Sequence, residues 1–330
     1  MDLIKKIEKA GLLGRGGAEF PVAKKWQSVL AAKRKQKNCP VYVVVNATEG
    51  EPGVAKDKYI IRKHSAELMA GIKLAAKTLG AKKAYFYCQK KNLAEFKRRL
   101  KPFAKGLAIE FFPENCGYIC GEETTLLETI EGKRSEPRLK PPYPTESGLF
   151  GCPTLVNNVE TFFYVAIIAK GKYQGERFYT IGGAIKKPGV FELPATLSIG
   201  EVLKKTGNEP KGDYFIQAGG GAAGEILLPS ELKRPLKGAG SLIVHDTKKT
   251  VPLELLREWI EFFYQGNCGK CAPCREGLYR LREILGEKQI NWAFLRAICE
   301  TMRDASFCPL GRSVHAPIIG LLEKVGARKK

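Results

Sequence analysis

Three observations predict an α/β chain built in three parts. Strand and helix patterns alternate through the first half of the 330 residues. Short strands at hairpin spacing follow Gly171, and only helical patterns remain beyond Val251. Alternation of this kind calls for a mostly parallel sheet covered by helices. Residues 41–45, Val-Tyr-Val-Val-Val, form the continuous apolar run of a strand buried on both faces. Residues 64–79 then place Leu68, Ile72, Ala75 and Leu79 on one helical face. A second strand is predicted over 84–88, a basic helix over 92–100 and a third strand over 107–112. Further helices are expected over 122–130 and 156–169. After Gly171, residues 178–181 and 189–193 predict a hairpin through Lys186-Lys187-Pro188. A short helix over 198–205 has Ser198 as its N-cap, and strands follow at 214–217 and 242–245. This α+β unit resembles a β-grasp module. Helices near 252–264, 275–285, 290–302 and 313–324 predict a compact bundle whose short helices need a staple.

Composition narrows the function. The chain carries 55 Lys and Arg against 34 Asp and Glu, a net charge of +21. The basic residues are dispersed, and the densest run, Lys33-Arg34-Lys35-Gln36-Lys37, reads as a helix end or loop. No recognition motif accompanies the charge, so a solvated surface is expected and no nucleic-acid partner. No apolar run approaches the roughly 20 residues that cross a bilayer. Met1-Asp2-Leu3-Ile4-Lys5-Lys6 lacks the apolar core of a signal peptide. A cytoplasmic protein is therefore expected, and its ten cysteines need a reason other than disulfides. Cys39, Cys88, Cys116, Cys120, Cys152 and Cys299 are expected to be small buried thiols.

The other four cysteines carry the sharpest signal. Cys268-Gly-Lys-Cys271-Ala-Pro-Cys274 has C-x2-C-x2-C spacing, which turns three thiolates toward one centre. Cys308, followed by Pro309, is the expected fourth ligand. Four cysteines are the usual ligand set of a [4Fe–4S] cluster. Structural zinc sites favour paired C-x2-C units instead. One run implies one cluster. A cluster moves electrons singly, so coupling to a two-electron donor needs a converter such as a flavin.

Several loops have the chemistry of a nucleotide site. Gly14-Arg15-Gly16-Gly17-Ala18-Glu19 brings backbone amides close to a ligand, although Glu19 stands where a dinucleotide fingerprint has its third glycine. Asn46-Ala47-Thr48-Glu49-Gly50-Glu51-Pro52-Gly53 follows the first strand, where α/β sheets bind ligands. Tyr118 precedes Gly121-Glu122-Glu123-Thr124 at one helix start, and Asn157-Asn158-Val159-Glu160-Thr161 opens another. Amides at a helix start favour phosphate.

With Glu136-Pro-Arg-Leu-Lys-Pro-Pro, Gly148-Leu-Phe-Gly-Cys-Pro-Thr and Cys268-Gly-Lys-Cys-x-Pro-Cys-Arg-Glu-Gly, these motifs run from Gly11 to Leu322. The chain resembles the NADH-binding flavoprotein subunit of respiratory complex I and of related hydrogenase and formate dehydrogenase modules. That resemblance implies a Rossmann-like FMN- and NADH-binding domain over 1–170, an SLBB-like β-grasp domain over 171–248 and a helical [4Fe–4S] domain over 249–330. It implies FMN contacts at Gly14, Arg15, Gly16, Lys25, Asn46, Glu49, Gly50, Gly121, Asn157, Asn158 and Thr161, with Glu122 at the same helix start as Gly121. NADH is expected with its adenine near Phe20, Lys140 and Tyr143, and with Glu51, Tyr118 and Glu123 on the nicotinamide and ribose side. A carboxylate at Glu51 beside the adenosine ribose would oppose a 2′-phosphate and favour NADH over NADPH. Hydride would pass from NADH to FMN. Single electrons would then pass through the cluster to a thioredoxin-like [2Fe–2S] subunit, then to more iron–sulfur subunits and a quinone or other acceptor. Membrane association would be indirect. The reverse reaction in a hydrogenase or formate dehydrogenase, and a non-catalytic paralogue, are the alternatives. Glu19, Ser28, Thr48, Gly50 and the loop Gly219–Gly224 depart from the family pattern.

Overall fold

The computed structural model describes residues 2–326. The first part begins with α1 (Leu3–Lys9) and α2 (Val22–Lys35). Helix α2 buries Val22, Ala23, Trp26, Val29 and Ala32, a stripe at helical spacing. Then come β1 (Val41–Ala47), α3 (Lys56–Lys63) and α4 (Ser65–Leu79). Helix α4 stops at Gly80, whose φ of 64° suits a residue without a side chain. The chain continues through β2 (Ala81–Cys88), α5 (Leu93–Leu100), β3 (Ile109–Pro113), α6 (Glu123–Ile130), β4 (Thr154–Asn158) and α7 (Val159–Ala169). All four strands are parallel, in the order β3-β2-β1-β4.

Strand β4 corrects the sequence reading, which ran a helix from residue 156. Asn158 causes the break. Its backbone is extended (φ −74°, ψ 158°), and its side chain accepts the Glu160 N–H at 3.0 Å, so it caps α7 instead of joining it. The consequence reaches the site. The connections from β1 lead to β2 and β3 on one side, whereas β4 pairs on the other. The sheet order therefore reverses between β1 and β4, and their carboxyl ends flank the crevice where such sheets bind ligands.

The second part contains β5 (Glu176–Gly183), β6 (Gly189–Pro194), α8 (Ile199–Lys205), β7 (Tyr214–Ala218), β8 (Glu225–Leu227) and β9 (Ser241–Asp246). Its mixed sheet has the order β6-β5-β9-β7-β8, with only β5 and β9 parallel. The three-residue β8 is too short to show a pattern in sequence. Ser198 and Glu201 close a capping box on α8. This sheet is fastened to the first part: the Ala55 N–H donates to Thr180 Oγ1 (3.1 Å), and the Phe178 N–H to Glu160 Oε1 (2.9 Å).

The third part is helical: α9 (Pro252–Gly266), α10 (Ala272–Gly286), α11 (Trp292–Ala305), α12 (Pro309–Ser313) and α13 (His315–Lys324). Trp259, Phe263, Leu278, Leu295, Met302 and Ile318 form its core, joined by Ile119 and Phe215 from the earlier parts. Cys299 is wholly buried in that core, as expected. His64 packs among Tyr59, Phe163 and Phe178. No helix among the described residues is long and apolar enough to cross a membrane.

Four cysteines expected as separate thiols are paired. Cys39 bonds to Cys152, joining the turns that precede β1 and β4, and Cys116 bonds to Cys120. Their Cα atoms lie 5.4 and 5.6 Å apart, inside disulfide range. The first pair joins residues 113 positions apart, which spacing alone does not reveal. Denatured without reductant and freed of iron, the chain should therefore titrate six thiols and, after reduction, all ten. Ten in both conditions would show the pairs to be unbonded.

Candidate functional site

The crevice between β1 and β4 collects most of the expected flavin contacts. Asn46 and Asn158 are register partners at the strand ends. The Asn46 amide donates to the Gly121 carbonyl at 2.8 Å, and its oxygen accepts from the Thr48 hydroxyl at 2.9 Å. The Arg15 N–H donates to Thr161 Oγ1 at 3.0 Å, fastening the glycine loop to the start of α7. Three glycines of these loops lie close against neighbouring side chains. A Cβ on Gly16 would lie 3.3 Å from Asn158 Cβ, one on Gly121 3.2 Å from Thr48 Oγ1, and one on Gly50 3.5 Å from Tyr118 Cδ2.

The asparagine pair divides its work, because adjacent strand residues face opposite ways. Asn157 is buried, and its amide is satisfied when turned so that its oxygen accepts from Trp26 Nε1 (3.2 Å) and its nitrogen donates to the Val156 carbonyl (2.9 Å). Asn158 donates to Asp57 Oδ2 at 2.6 Å and accepts from Lys56 Nζ at 3.0 Å. The sequence reading treated the two as equivalent.

Below the crevice lies a buried ionic network that the sequence reading missed. Lys56, 2% exposed, holds Asp57 Oδ1 at 2.8 Å and Glu160 Oε2 at 3.0 Å. Arg15 Nε lies 3.9 Å from Glu160 Oε1, and the Arg15 guanidinium donates to the Tyr173 hydroxyl (3.0 Å) and the Glu176 carbonyl (3.1 Å). Glu49, in left-handed backbone (φ 38°), accepts the N–H groups of Asp57 (2.6 Å) and Lys58 (3.1 Å). Burial, then the Asp57 carboxylate, pushes Glu49 up to about 8, against the pull of Lys56 and the two amides. Burial alone would lower Lys56, but Asp57 and Glu160 hold it above its ordinary value. Burial raises Asp57 as well, against the pull of Lys56 and Asn158.

The expected dinucleotide side is also charged, and it is closer to solvent. Lys25 Nζ lies 2.9 Å from Glu123 Oε2, and Lys140 Nζ bridges Glu122 (2.8 Å) and Glu123 (3.1 Å). Glu122 also caps α6, accepting the Thr124 and Thr125 N–H groups. Phe20 and Tyr143 are each 52% exposed, free to stack on a ring. Ser28 turns its hydroxyl back to the Lys24 carbonyl at 3.0 Å. Glu19 is turned to the second sheet, where it accepts the Gly238 N–H at 3.2 Å and lies 3.8 Å from Arg177. Glu51 Oε1 accepts the Ala222 and Ala223 N–H groups, both at 2.8 Å. The Tyr118 hydroxyl faces the same carboxylate, and burial first and Glu51 second keep that phenol protonated.

Cys268, Cys271, Cys274 and Cys308 line one hollow with Ile119, Pro137, Phe307 and Leu310. Cys271 is the N-cap of α10 and Cys308 that of α12. Among the described residues no group of three or more His, Cys, Asp or Glu side chains is placed to hold a single metal ion. Burial, followed by the neighbouring Cys271, Cys308 and Cys268, pushes Cys274 up to about 12. Cys274 and Cys308 are buried and Cys268 and Cys271 half-buried, and four cysteines about one hollow suit a cluster of metal ions. The hollow is clasped from outside: Arg134 donates to the Cys268 carbonyl (3.1 Å), and Lys270 to the Pro137 carbonyl (2.8 Å).

Comparison with known proteins matches both centres. The family model described as the Nuo51 FMN-binding domain matches residues 7–167, and that of the NADH-ubiquinone oxidoreductase-F iron-sulfur binding region matches 254–327. An F-type subunit of NADH-quinone oxidoreductase from Rhizobium meliloti is 32% identical, over 94% of this chain and 83% of its own length. Its counterpart from Aquifex aeolicus is 34% identical, over 98% and 84%. An NAD+-reducing [NiFe]-hydrogenase in the H2-reduced state superposes with a TM-score of 0.88 and 31% identity, covering 97% of this chain and 61% of that one. This chain thus spans about three fifths of the hydrogenase chain it matches. The chain belongs to the family of F-type subunits of NADH-quinone oxidoreductase.

Proposed function

We propose that this chain is the electron-input subunit of a multi-subunit redox enzyme, oxidising NADH with FMN and one [4Fe–4S] cluster. The observation that carries the reading is a pair of consecutive residues. Tyr118 faces Glu51 at the nucleotide side, and Ile119 lines the cysteine hollow. One short turn, Tyr118–Gly121, thus borders both the nucleotide side and the cysteine hollow, which supports direct electron transfer between the two centres.

FMN, when bound, would supply two-electron hydride chemistry toward NADH, and the cluster one-electron transfer. The chain's residues bind, orient and insulate. Gly14, Arg15, Gly16, Asn46, Gly50, Gly121, Asn158 and Thr161 form the flavin cradle. Asn157 supports it from behind through Trp26, and Lys25 supports it through Glu123. Glu49 holds a proton on its carboxyl at neutral pH. Phe20 and Tyr143 offer stacking faces for adenine, Lys140 and Glu122 fix the rim, and Glu51, Tyr118 and Glu123 contact the nicotinamide and ribose portions. Cys268, Cys271, Cys274 and Cys308 ligate the cluster. The relatives' names, subunits of NADH-quinone oxidoreductase, support a place in a multi-subunit redox enzyme; the neighbours we propose are a thioredoxin-like [2Fe–2S] subunit and other iron–sulfur subunits, at the cytoplasmic face of a larger complex. The hydrogenase likeness supports the opposite direction, in which the same site reduces NAD+.

Anaerobically purified protein should contain FMN, with iron and labile sulfide in equal amounts, and NADH should bleach its flavin absorbance. Cys308→Ala should lose or convert the reduced cluster's paramagnetic resonance signal, and Cys299→Ala should keep it. The reverse pattern would make Cys299 the fourth ligand, and NADH failing to bleach bound flavin would remove the proposed activity.

Glu49 gives a second test. Its folded-state value of about 8 lies above the ordinary 4.5. Between those values the folded chain binds the extra proton, so stability falls as pH rises through that window. Glu49→Gln should flatten the fall of the thermal midpoint between about pH 5 and 8. An unchanged slope would place the proton elsewhere.

A further inference from the structure

The loop Gly219–Gly224 of the second part is bound to the nucleotide side of the first. It leaves β7 and returns as β8, and the Gly221 N–H donates to the Pro52 carbonyl at 2.9 Å. The next two amides, of Ala222 and Ala223, converge at 2.8 Å on one oxygen, Oε1 of Glu51. Two convergent backbone amides make a small anion-binding concavity, and the anion here belongs to the protein itself.

The glycines are what let the loop come so close. A Cβ on Gly220 would lie 2.4 Å from Glu51 Oε1, 2.6 Å from its Cδ and 2.8 Å from its Cγ. A Cβ on Gly221 would lie 2.2 Å from the Pro52 carbonyl oxygen, and one on Gly224 2.3 Å from that of Gly220. Gly220 differs from the other two. Its three nearest neighbours are all atoms of one side chain, so a methyl group there would displace Glu51.

We infer that the loop Gly219–Gly224 is a positioning element for the dinucleotide: it clamps one oxygen of Glu51 and so fixes where the rest of that carboxylate meets NADH. The inference rests on the reading of Glu51 as a nucleotide contact. It gives the second part a role in substrate affinity although none of its residues needs to touch the nucleotide. The clamp holds Glu51 ready before NADH arrives, which reduces the ordering that binding must accomplish.

The test is NADH-dependent ferricyanide reduction by the FMN- and cluster-loaded protein, with wild type, Gly220→Ala, Glu51→Ala and the double variant. Gly220→Ala should raise KM for NADH by about tenfold, the scale of one lost hydrogen bond to a charged group, with little change in kcat or FMN content. Glu51→Ala should do the same. In the double variant the second substitution should add nothing, because the atoms it displaces are gone. Ala222→Pro, which deletes one of the two donors, should reproduce the KM rise and serves if Gly220→Ala folds poorly. If Glu51→Ala raises KM and neither loop variant does, the clamp is refuted while Glu51 keeps its role. A Gly220→Ala effect that persists undiminished without the Glu51 side chain also refutes the clamp. If no variant moves KM, Glu51 is not a nucleotide contact and both readings fall.

Discussion

A single buried ammonium organises the ligand face of this protein. Lys56 is sealed from solvent with Asp57 and Glu160 in contact. Removing ions from water is costly, and a buried set persists only if its members are paired and hydrogen-bonded. Here the pairing spans four segments of chain. Asp57 offers its amide to Glu49 and its carboxylate to Asn158. Glu160 receives the Phe178 amide from the second sheet and stands beside Arg15 of the glycine loop. No member can leave without stranding charge on the rest.

Much of the site's geometry follows from that requirement. Glu49 is held in left-handed backbone at the end of β1, which turns the following residues, Gly50 and Glu51, back over the crevice. Asn158 is held as a helix cap instead of a helical residue, which ends β4 and exposes the start of α7. Phe178 brings the second sheet against the first, and Gly219–Gly224 comes with it to meet Glu51. The helical part is then docked through the turn that carries Tyr118 and Ile119. That turn touches Gly50 through Tyr118 and lines the cysteine hollow through Ile119.

The sequence was legible where chemistry depends on local spacing. The cysteine triplet, the glycine loop and the post-strand run Asn46–Gly53 each carry their meaning within a few residues. The alternating strands of the first part and the helices of the last were legible for the same reason. What escaped needed partners far away in sequence. Lys56 and Asp57 sit in the polar stretch Ala55-Lys56-Asp57-Lys58, and only packing buries them. Strand β4 was hidden because Thr154–Asn158 runs without a break into an apolar helix. Cys39 and Cys152 gave no sign of each other. Glu51 was read as a charge facing ligand, whereas two amides of the second part donate to it, as the Gly238 amide does to Glu19.

The central claim is that the Lys56 network holds the first two parts in register and shapes the flavin crevice between β1 and β4. Lys56→Met keeps the length of the side chain and removes its charge. Breaking a buried ionic set by deleting one partner costs about 3–5 kcal/mol. Hydrogen exchange of this variant, measured amide by amide, is the most direct test. The account predicts joint loss of protection at Asp57, Lys58, Glu160 and Phe178, together with loss of bound FMN, while the helical part beyond Val251 keeps its protection. Native protection at all four amides with flavin retained would contradict it.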